Sequence, residues 1–136
     1  VPNMRIREHK SVVHSSLYHV VWCSKYRKEV LTGAVADDLK RIIRAIAEEK
    51  DVEIVQMVVR PDSVELLVDV SPLYGIGEFV RHVKWQSSSY LRSTYAHLRS
   101  LLPTLWTQSY FVATISTADA NAVTTYIESQ PRRSRK

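Results

Sequence analysis

Two carboxylates and a serine alternate along one short stretch of the chain, between Ser63 and Val70. Apolar residues occupy every second position there, which is typical of a strand with one apolar and one polar face. The polar face carries Ser63, Glu65, Leu67 and Asp69, and the apolar face carries Val64, Leu66, Val68 and Val70. Because the apolar face must pack against a core, we expect the Glu65 carboxylate where a ligand could reach it. The alternative is an ordinary exposed strand face that binds nothing.

A tyrosine and a glutamine stand four residues apart near the end of the chain. Tyr126 and Gln130 lie on the same side of a predicted helix, so a hydroxyl and an amide oxygen would point at one place. Pro131 follows directly and could pull Gln130 out of the helical conformation. The alternative is that the Tyr126 ring packs in the core with its hydroxyl at the edge.

The pattern of apolar residues predicts the elements that must position these groups. Strands are expected over residues 17–23, 52–59, 64–70 and 110–115, and helices over 34–50, 78–99 and from about 116 to 131. The order strand, helix, strand, strand, helix, strand is the split βαβ pattern of ferredoxin-like folds. The predicted fold class is therefore α+β, with a four-stranded antiparallel sheet, two helices on one face and an extra C-terminal helix.

Composition indicates one domain. The chain has 136 residues, of which 45% are apolar, which suits a single core at residues 1–131 followed by a basic tail at 132–136. The net charge is +5, and the tail supplies four of those charges, so the rest is close to neutral. A basic tail favours a polyanionic partner, although it could equally be a solvated end.

The sequence also predicts where the protein works. Its apolar runs are far shorter than the roughly 18 residues that a membrane span needs, so no membrane partner is expected. Cys23 is the single cysteine and cannot form an internal disulfide. A reducing, cytoplasmic location is the expectation.

Four separated motifs carry a resemblance to a known family. They are YHVVWCSKYRK at 18–28, PDSVELLV at 61–68, Leu105-Trp106 with Tyr110, and YIESQ at 126–130. Together they resemble the single-tyrosine HUH transposases of small bacterial insertion sequences, the TnpA type. The resemblance covers residues 18 to 130 and implies the same ferredoxin-like fold.

The resemblance implies a chemistry. In that family a tyrosine, here Tyr126, attacks a phosphodiester of single-stranded DNA and forms a 5′-phosphotyrosine bond. A divalent metal polarises the phosphate, held by two histidines of the strand motif and by the glutamine that corresponds to Gln130. The resemblance further implies a homodimer that acts on DNA hairpins at the ends of the element.

The sequence departs from the family at the metal ligands, because Ser63 and Glu65 occupy the two histidine positions. A carboxylate such as Glu65 is a hard donor suited to Mg²⁺ or Mn²⁺, whereas the neutral Ser63 hydroxyl is a weak ligand. The cofactor is therefore Mg²⁺ or Mn²⁺ in an active enzyme, or none. Without a metal, Glu65 would repel the negative charge that develops on the phosphate.

DNA binding depends on other residues. The candidates for phosphate contacts are Lys25, Arg27, Lys28, Arg81, Lys84, Arg92 and Arg99. Trp85 stands beside Arg81 and Lys84, as in a stacking site for an unpaired base, although a half-buried core position is the alternative.

Three functions follow from these observations. The first is a transposase-like protein that recognises single-stranded DNA hairpins but is catalytically impaired. The second is an active, metal-dependent transposase that uses Tyr126 with Glu65 and Gln130. The third is an RNA-binding ferredoxin-like module, although strands one and three offer no clear exposed aromatic pair for stacking bases. The sequence leaves open whether the chain is an enzyme.

Overall fold

The computed structural model describes residues 7–9, 12–14, 17–114 and 127–130. Its strands are β1 (Arg7–His9), β2 (Val12–His14), β3 (Leu17–Cys23), β4 (Glu53–Arg60), β5 (Ser63–Asp69) and β6 (Phe111–Thr114). Its helices are α1 (Gly33–Glu49), α2 (Ile76–Thr94) and α3 (Ala96–Leu101), and a single 3₁₀ turn spans Lys25–Arg27.

The main sheet has the order β4-β5-β3-β6, and every neighbouring pair is antiparallel. Helix α1 connects β3 to β4, and α2 with α3 connects β5 to β6. This order is that of the split βαβ fold, so the predicted ferredoxin-like α+β class is confirmed. The tight β4–β5 turn contains only Pro61 and Asp62, which supply the turn chemistry that the sequence indicated.

One face of the sheet is covered by the helices and forms the core. Val64, Leu66 and Val68 on β5 are fully buried there, as the alternation predicted. Helix α1 buries a stripe at helical spacing, consisting of Val35, Leu39, Ile42, Ile43, Ile46 and Ala47. Helix α2 buries Phe79, Val80, Val83, Ser87 and Leu91 beside it. This packing leaves the opposite face of the sheet, with Glu65, for other contacts.

The long helix expected over residues 78–99 is two helices, so that prediction was wrong. Tyr95 adopts an extended conformation, with φ −116 and ψ 104, between α2 and α3. Its hydroxyl donates a hydrogen bond of 2.6 Å to Asp38 Oδ2 on α1. Arg92 Nη1 donates to the Leu98 and Leu102 carbonyls across the corner. These contacts between elements stabilise a bend that helical periodicity does not reveal.

Two features lie beyond the sequence prediction. The antiparallel pairing of β1 with β2 was not expected, since the start of the chain is polar and short in apolar residues. Most of the predicted C-terminal helix falls outside the described residues, which include only the helical residues 127–129 and Gln130 at that end. Within the described ranges, no helix is long and apolar enough to cross a membrane.

Candidate functional site

The polar face of β5 lies between β3 and β4, and their register determines which side chains reach Glu65. Glu65 pairs with Val21 on β3 and with Val58 on β4. Residues two positions away on each neighbouring strand share its face, and these are His19 and Arg60. Three strands therefore bring these side chains to one place on the face opposite the helices.

Both carboxylate oxygens of Glu65 are engaged. His19 Nε2 donates to Oε2 at 2.5 Å, and Arg60 Nη1 donates to Oε1 at 2.8 Å. We call these three residues the Glu65 cluster. Partial burial favours a raised pKa for Glu65, but the hydrogen bonds and charges of Arg60 and His19 outweigh burial and lower its pKa. Glu65 is therefore an ionised carboxylate that is already paired with a guanidinium.

Glu65→Gln is expected to lower the free energy of unfolding by about 1 kcal/mol at neutral pH, since both charge-assisted hydrogen bonds weaken while Arg60 remains partly solvated. Because folding lowers the pKa of Glu65, its stabilising contribution is present above the unfolded value of 4.5 and is lost as the pH falls through the folded value. The gap between wild type and variant should therefore close below that pH. Urea unfolding across the acidic range measures it.

The matched control for this prediction is Glu78→Gln, which removes the carboxylate of an exposed ion pair with Arg81. An exposed pair contributes little, so this variant should change the free energy of unfolding by less than about 0.5 kcal/mol. Equal effects of the two substitutions, or a gap for Glu65→Gln that persists at acidic pH, would contradict the role given to the Glu65 cluster.

Ser63 lies two residues before Glu65 and is fully buried. Its Oγ has no hydrogen-bond partner among the described residues. Ser63 pairs with Cys23 on β3 and with Arg60 on β4, so it stands at the end of β5 nearest the turn. A buried, neutral hydroxyl beside a guanidinium-bearing residue offers little to a cation.

Gln130 lies near the same end of the sheet. Its Oε1 is 3.5 Å from the Ser109 hydroxyl. Phe111 pairs with Val21, so the chain two residues earlier, at Ser109, comes level with Cys23 and hence with Ser63. Tyr126 lies outside the described residues, and no position is assigned to its hydroxyl.

Several of the predicted DNA-binding cations make contacts within the fold. Arg27 Nε forms an ion pair of 3.2 Å with Asp62 in the β4–β5 turn. Arg92 donates to backbone carbonyls at the α2–α3 corner, and Arg99 donates to the Arg92 carbonyl. Lys28 is half-buried just after the 3₁₀ turn. None of these four residues lines the cleft that the other predicted residues share.

The other four predicted residues do converge. Lys25, Arg81, Lys84 and Trp85 line one cleft of about 1240 Å³, which we call the α2 cleft. Its remaining walls are the 3₁₀ turn, residues 74–75 just before α2, and the segment before β6. Trp85 is 69% exposed, so the core position considered for it is wrong.

Lys84 lies between the α2 cleft and the end of the sheet. Its Nζ donates to the Thr107 carbonyl at 2.6 Å and to the Ser109 carbonyl at 3.2 Å. Burial lowers the pKa of Lys84 to about 8, with Cys23 acting in the opposite direction. Because Ser109 also contacts Gln130, one short segment connects the cleft to the glutamine.

Sequence reasoning missed His19 and Arg60. The signal was available in part, since His19 stands in a predicted strand and Arg60 in the predicted turn. Which strands are neighbours, and in what register, decides that both side chains reach Glu65. The periodicity of a single strand does not contain that information.

The fold and the four sequence motifs resemble those of one class of protein, the transposases that act on DNA with a ferredoxin-like domain. The family described as "Transposase IS200 like" matches residues 12–130 of this chain. The chain therefore belongs to the IS200-like transposase family, and the predicted family is confirmed. DNA binding and DNA transposition are the activities of that class.

Individual relatives agree with this assignment. The ISDra2 transposase TnpA of Deinococcus radiodurans is 37% identical over 129 residues, which are 93% of this chain and 92% of that protein. The transposase of insertion sequence element IS200 from Salmonella typhimurium is 26% identical over 128 residues, or 90% of this chain and 84% of that protein.

Solved structures give the same result for the fold. A Deinococcus radiodurans R1 protein assigned as a transposase superposes with a TM-score of 0.83 at 36% identity, covering 93% of this chain and 99% of that one. A REP-associated tyrosine transposase, solved bound to a REP hairpin, superposes with a TM-score of 0.57 over 94% of this chain and 69% of that one. At 14% identity, the second likeness shows the fold alone.

Members of this family are generally metal-dependent, but the Glu65 cluster is poorly suited to a metal. Glu65 would have to exchange a bound guanidinium for the ion, and the permanent charge of Arg60 would repel a divalent cation. Among the described residues, no three His, Cys, Asp or Glu side chains group as metal ligands. The described residues of this cluster do not fit a divalent metal.

Proposed function

We propose that this protein binds single-stranded DNA hairpins as a homodimer and that its DNA-cleaving activity is impaired. The observation that carries the proposal is the Glu65 cluster, in which both carboxylate oxygens are bound by Arg60 and His19. The Glu65 carboxylate therefore pairs with the Arg60 guanidinium of the protein and is not free to bind a metal ion.

The electrostatics of the cluster explain the expected loss of cleavage. Attack on a phosphodiester places additional negative charge on the phosphate oxygens, which must be stabilised by positive charge or by hydrogen-bond donors. Glu65 contributes a negative charge and neutralises the nearest guanidinium, Arg60. The polar face of β5 therefore lacks the electrophile that the attack of Tyr126 would need, even with Gln130 at the same end of the sheet.

DNA binding does not depend on this cluster. No residue of the Glu65 cluster lines the α2 cleft, whose cations are Lys25, Arg81 and Lys84, and residues 132–136 form a basic segment. Phosphate contacts by lysine and arginine provide sequence-independent affinity and require no metal. A hairpin is the proposed form of DNA because the family motifs resemble those of hairpin-binding transposases, and because a protein of the same fold has been solved with a hairpin bound.

A denaturing-gel assay tests the proposal. The protein is incubated with labelled single-stranded DNA hairpins and Mn²⁺ or Mg²⁺, and the ISDra2 transposase TnpA is the positive control. We expect no covalent protein–DNA band from this protein. On a native gel we expect hairpin binding that is unchanged by a chelator and by Tyr126→Phe.

The proposed impairment of cleavage and the proposed DNA binding can fail separately. A covalent band that Tyr126→Phe abolishes would show an active transposase and would overturn the proposed impairment. Hairpin binding that disappears with the chelator would show that a metal is held after all. Preference for single-stranded RNA over the DNA hairpin would favour the RNA-binding alternative.

A further inference from the structure

The amine of Lys84 is held by two backbone carbonyls. Its Nζ donates to the Thr107 carbonyl at 2.6 Å and to the Ser109 carbonyl at 3.2 Å. The ammonium form has three N–H bonds, whereas a neutral amine has two N–H bonds and one lone pair. Both forms can therefore keep the two carbonyls, and the remaining position on Nζ carries either a proton or a lone pair. Loss of the proton thus costs neither hydrogen bond.

No carboxylate of the described residues pairs with the Lys84 ammonium. The ion pairs in that part of the chain join other side chains, and Glu78, the one acidic residue of the described cleft lining, pairs with Arg81. Burial lowers the pKa of Lys84 from 10.5 to about 8, and Cys23 on β3 acts in the opposite direction. At pH 7.5 about a quarter of Lys84 is then the neutral amine, compared with about 0.1% of an ordinary lysine.

Lys84 lines the α2 cleft, so a small molecule can reach it. Arg81 lies one helical turn before Lys84, and Lys25 belongs to the 3₁₀ turn that forms another wall. These two cations favour a reagent that carries a phosphate over a neutral one. The other titratable side chains of the described lining are the phenols of Tyr26, Tyr74 and Tyr110.

We propose that Lys84 is a site of acylation by acyl phosphates, small molecules in which a carboxylic acid is joined to phosphate. The Nζ lone pair attacks the acyl carbon and forms a C–N bond. The bond between the acyl carbon and the phosphate oxygen breaks, and phosphate leaves with the electron pair of that bond. The proton lost from Nζ passes to the solvent. The reaction requires no DNA, so the inference goes beyond the proposed function and does not depend on it.

Acylation would change what Lys84 does in the fold. The amide product is uncharged and has a single N–H, so only one of the Thr107 and Ser109 carbonyls can keep its donor. The cleft also loses one of the three cations among its described lining residues. Modification of Lys84 therefore alters both the charge of the cleft and the anchoring of the segment before β6.

The experiment uses acetyl phosphate as the probe and measures the acetylation rate of each lysine of the wild-type protein by peptide mass spectrometry. At pH 7.5 we expect Lys84 to react about 10- to 100-fold faster than Lys25, because a larger neutral fraction is offset only in part by the lower nucleophilicity of a less basic amine. Lys25 is the matched control, since it lines the same cleft. Its Nζ lies 5.2 Å from the centre of the Tyr26 ring, a contact that favours the charged form.

The pH dependence gives a readout that access to the cleft alone would not produce. The rate at Lys84 should rise up to about pH 8 and then level off. A neutral reagent, the acetic ester of N-hydroxysuccinimide, tests the role of the phosphate. Arg81→Gln should slow the reaction of Lys84 with acetyl phosphate by about 2- to 5-fold, the effect of one solvent-exposed charge contact, and should affect the reaction with the ester less.

The possible results decide the inference. Equal rates at Lys84 and Lys25 would overturn it, because the cleft would then only concentrate the reagent. A Lys84 rate that keeps rising well above pH 8 would overturn it as well, since Nζ would then be an ordinary ammonium at neutral pH. Equal slowing of both reagents by Arg81→Gln would overturn the assignment of acyl phosphates. Lys84→Arg keeps the positive charge and should remove the fast phase of acetylation, and a fast phase that survives would show that another residue is responsible.

Discussion

Replacing Ser63 and Glu65 with histidine, together with Arg60→Gln, is expected to raise the affinity for Mn²⁺ by about 10- to 100-fold over wild type. Loss of a group that only orients a metal ligand lowers metal affinity by that factor, so the gain of two ligands should raise it at least as much. The substitutions provide two imidazole ligands two residues apart on β5. They also remove the guanidinium that would repel the ion. Isothermal titration calorimetry with Mn²⁺ measures the change without relying on DNA cleavage.

Two controls accompany this triple variant. Arg60→Gln alone tests whether removal of the positive charge is sufficient, and Val112→His with Thr114→His places two histidines at the same spacing on the exposed strand β6. If the triple variant binds Mn²⁺ no more tightly than either control, the result would contradict the prediction. It would show that two histidines on β5 form no better a metal site than two histidines on another strand. Since Ser63 is fully buried, a thermal melt confirms that the triple variant folds before the titration.

Trp22→Ala is expected to lower the free energy of unfolding by about 3–5 kcal/mol, a large part of the roughly 5–15 kcal/mol of a typical domain. Trp22 is fully buried on β3 and meets Trp106 edge to face, with ring centroids 5.9 Å apart. The substitution would leave a cavity between the sheet and the segment before β6, and the Trp106 ring would lose its partner.

Urea unfolding followed by circular dichroism measures this loss, with Trp85→Ala as the control. The exposed Trp85 should contribute less than about 0.5 kcal/mol to stability, as expected for surface substitutions. Trp22→Phe should be milder than Trp22→Ala, because the indole N–H has no hydrogen-bond partner among the described residues and its loss removes an unsatisfied donor. A loss below about 1 kcal/mol for Trp22→Ala would show that the two tryptophans do not form a tightly packed unit.

Much of the fold could be predicted from the sequence, because local patterns determine it. The alternation of Val64, Leu66 and Val68 identified the buried face of β5, and the spacing of Leu39 and Ile43 identified the buried face of α1. Strand and helix periods differ, so the order of elements and hence the ferredoxin-like class followed from them. The family also followed, since its motifs are short continuous segments of the chain.

The site depended on the tertiary structure. The sequence placed Glu65 on the strand face opposite the helices, but it did not reveal that His19 and Arg60 bind both of its oxygens. Strand order and register bring these two side chains to Glu65. In sequence, His19 is 46 residues from Glu65 and Arg60 is 5 residues from it. The break at Tyr95 has a similar origin, since a hydrogen bond to Asp38 on another helix accompanies it.

The α2 cleft likewise has features that follow from local sequence and features that follow only from tertiary packing. The sequence placed Arg81, Lys84 and Trp85 near one another, because residues three and four apart share a side of a helix. It could not decide whether Trp85 was core or surface, since an indole suits either environment. That question was decided by packing, because Phe79, Val80 and Val83 fill the space between α2 and the sheet and leave Trp85 in the solvent. Periodicity determined which residues are neighbours along each element, and only the assembly of the elements determined what each side chain meets.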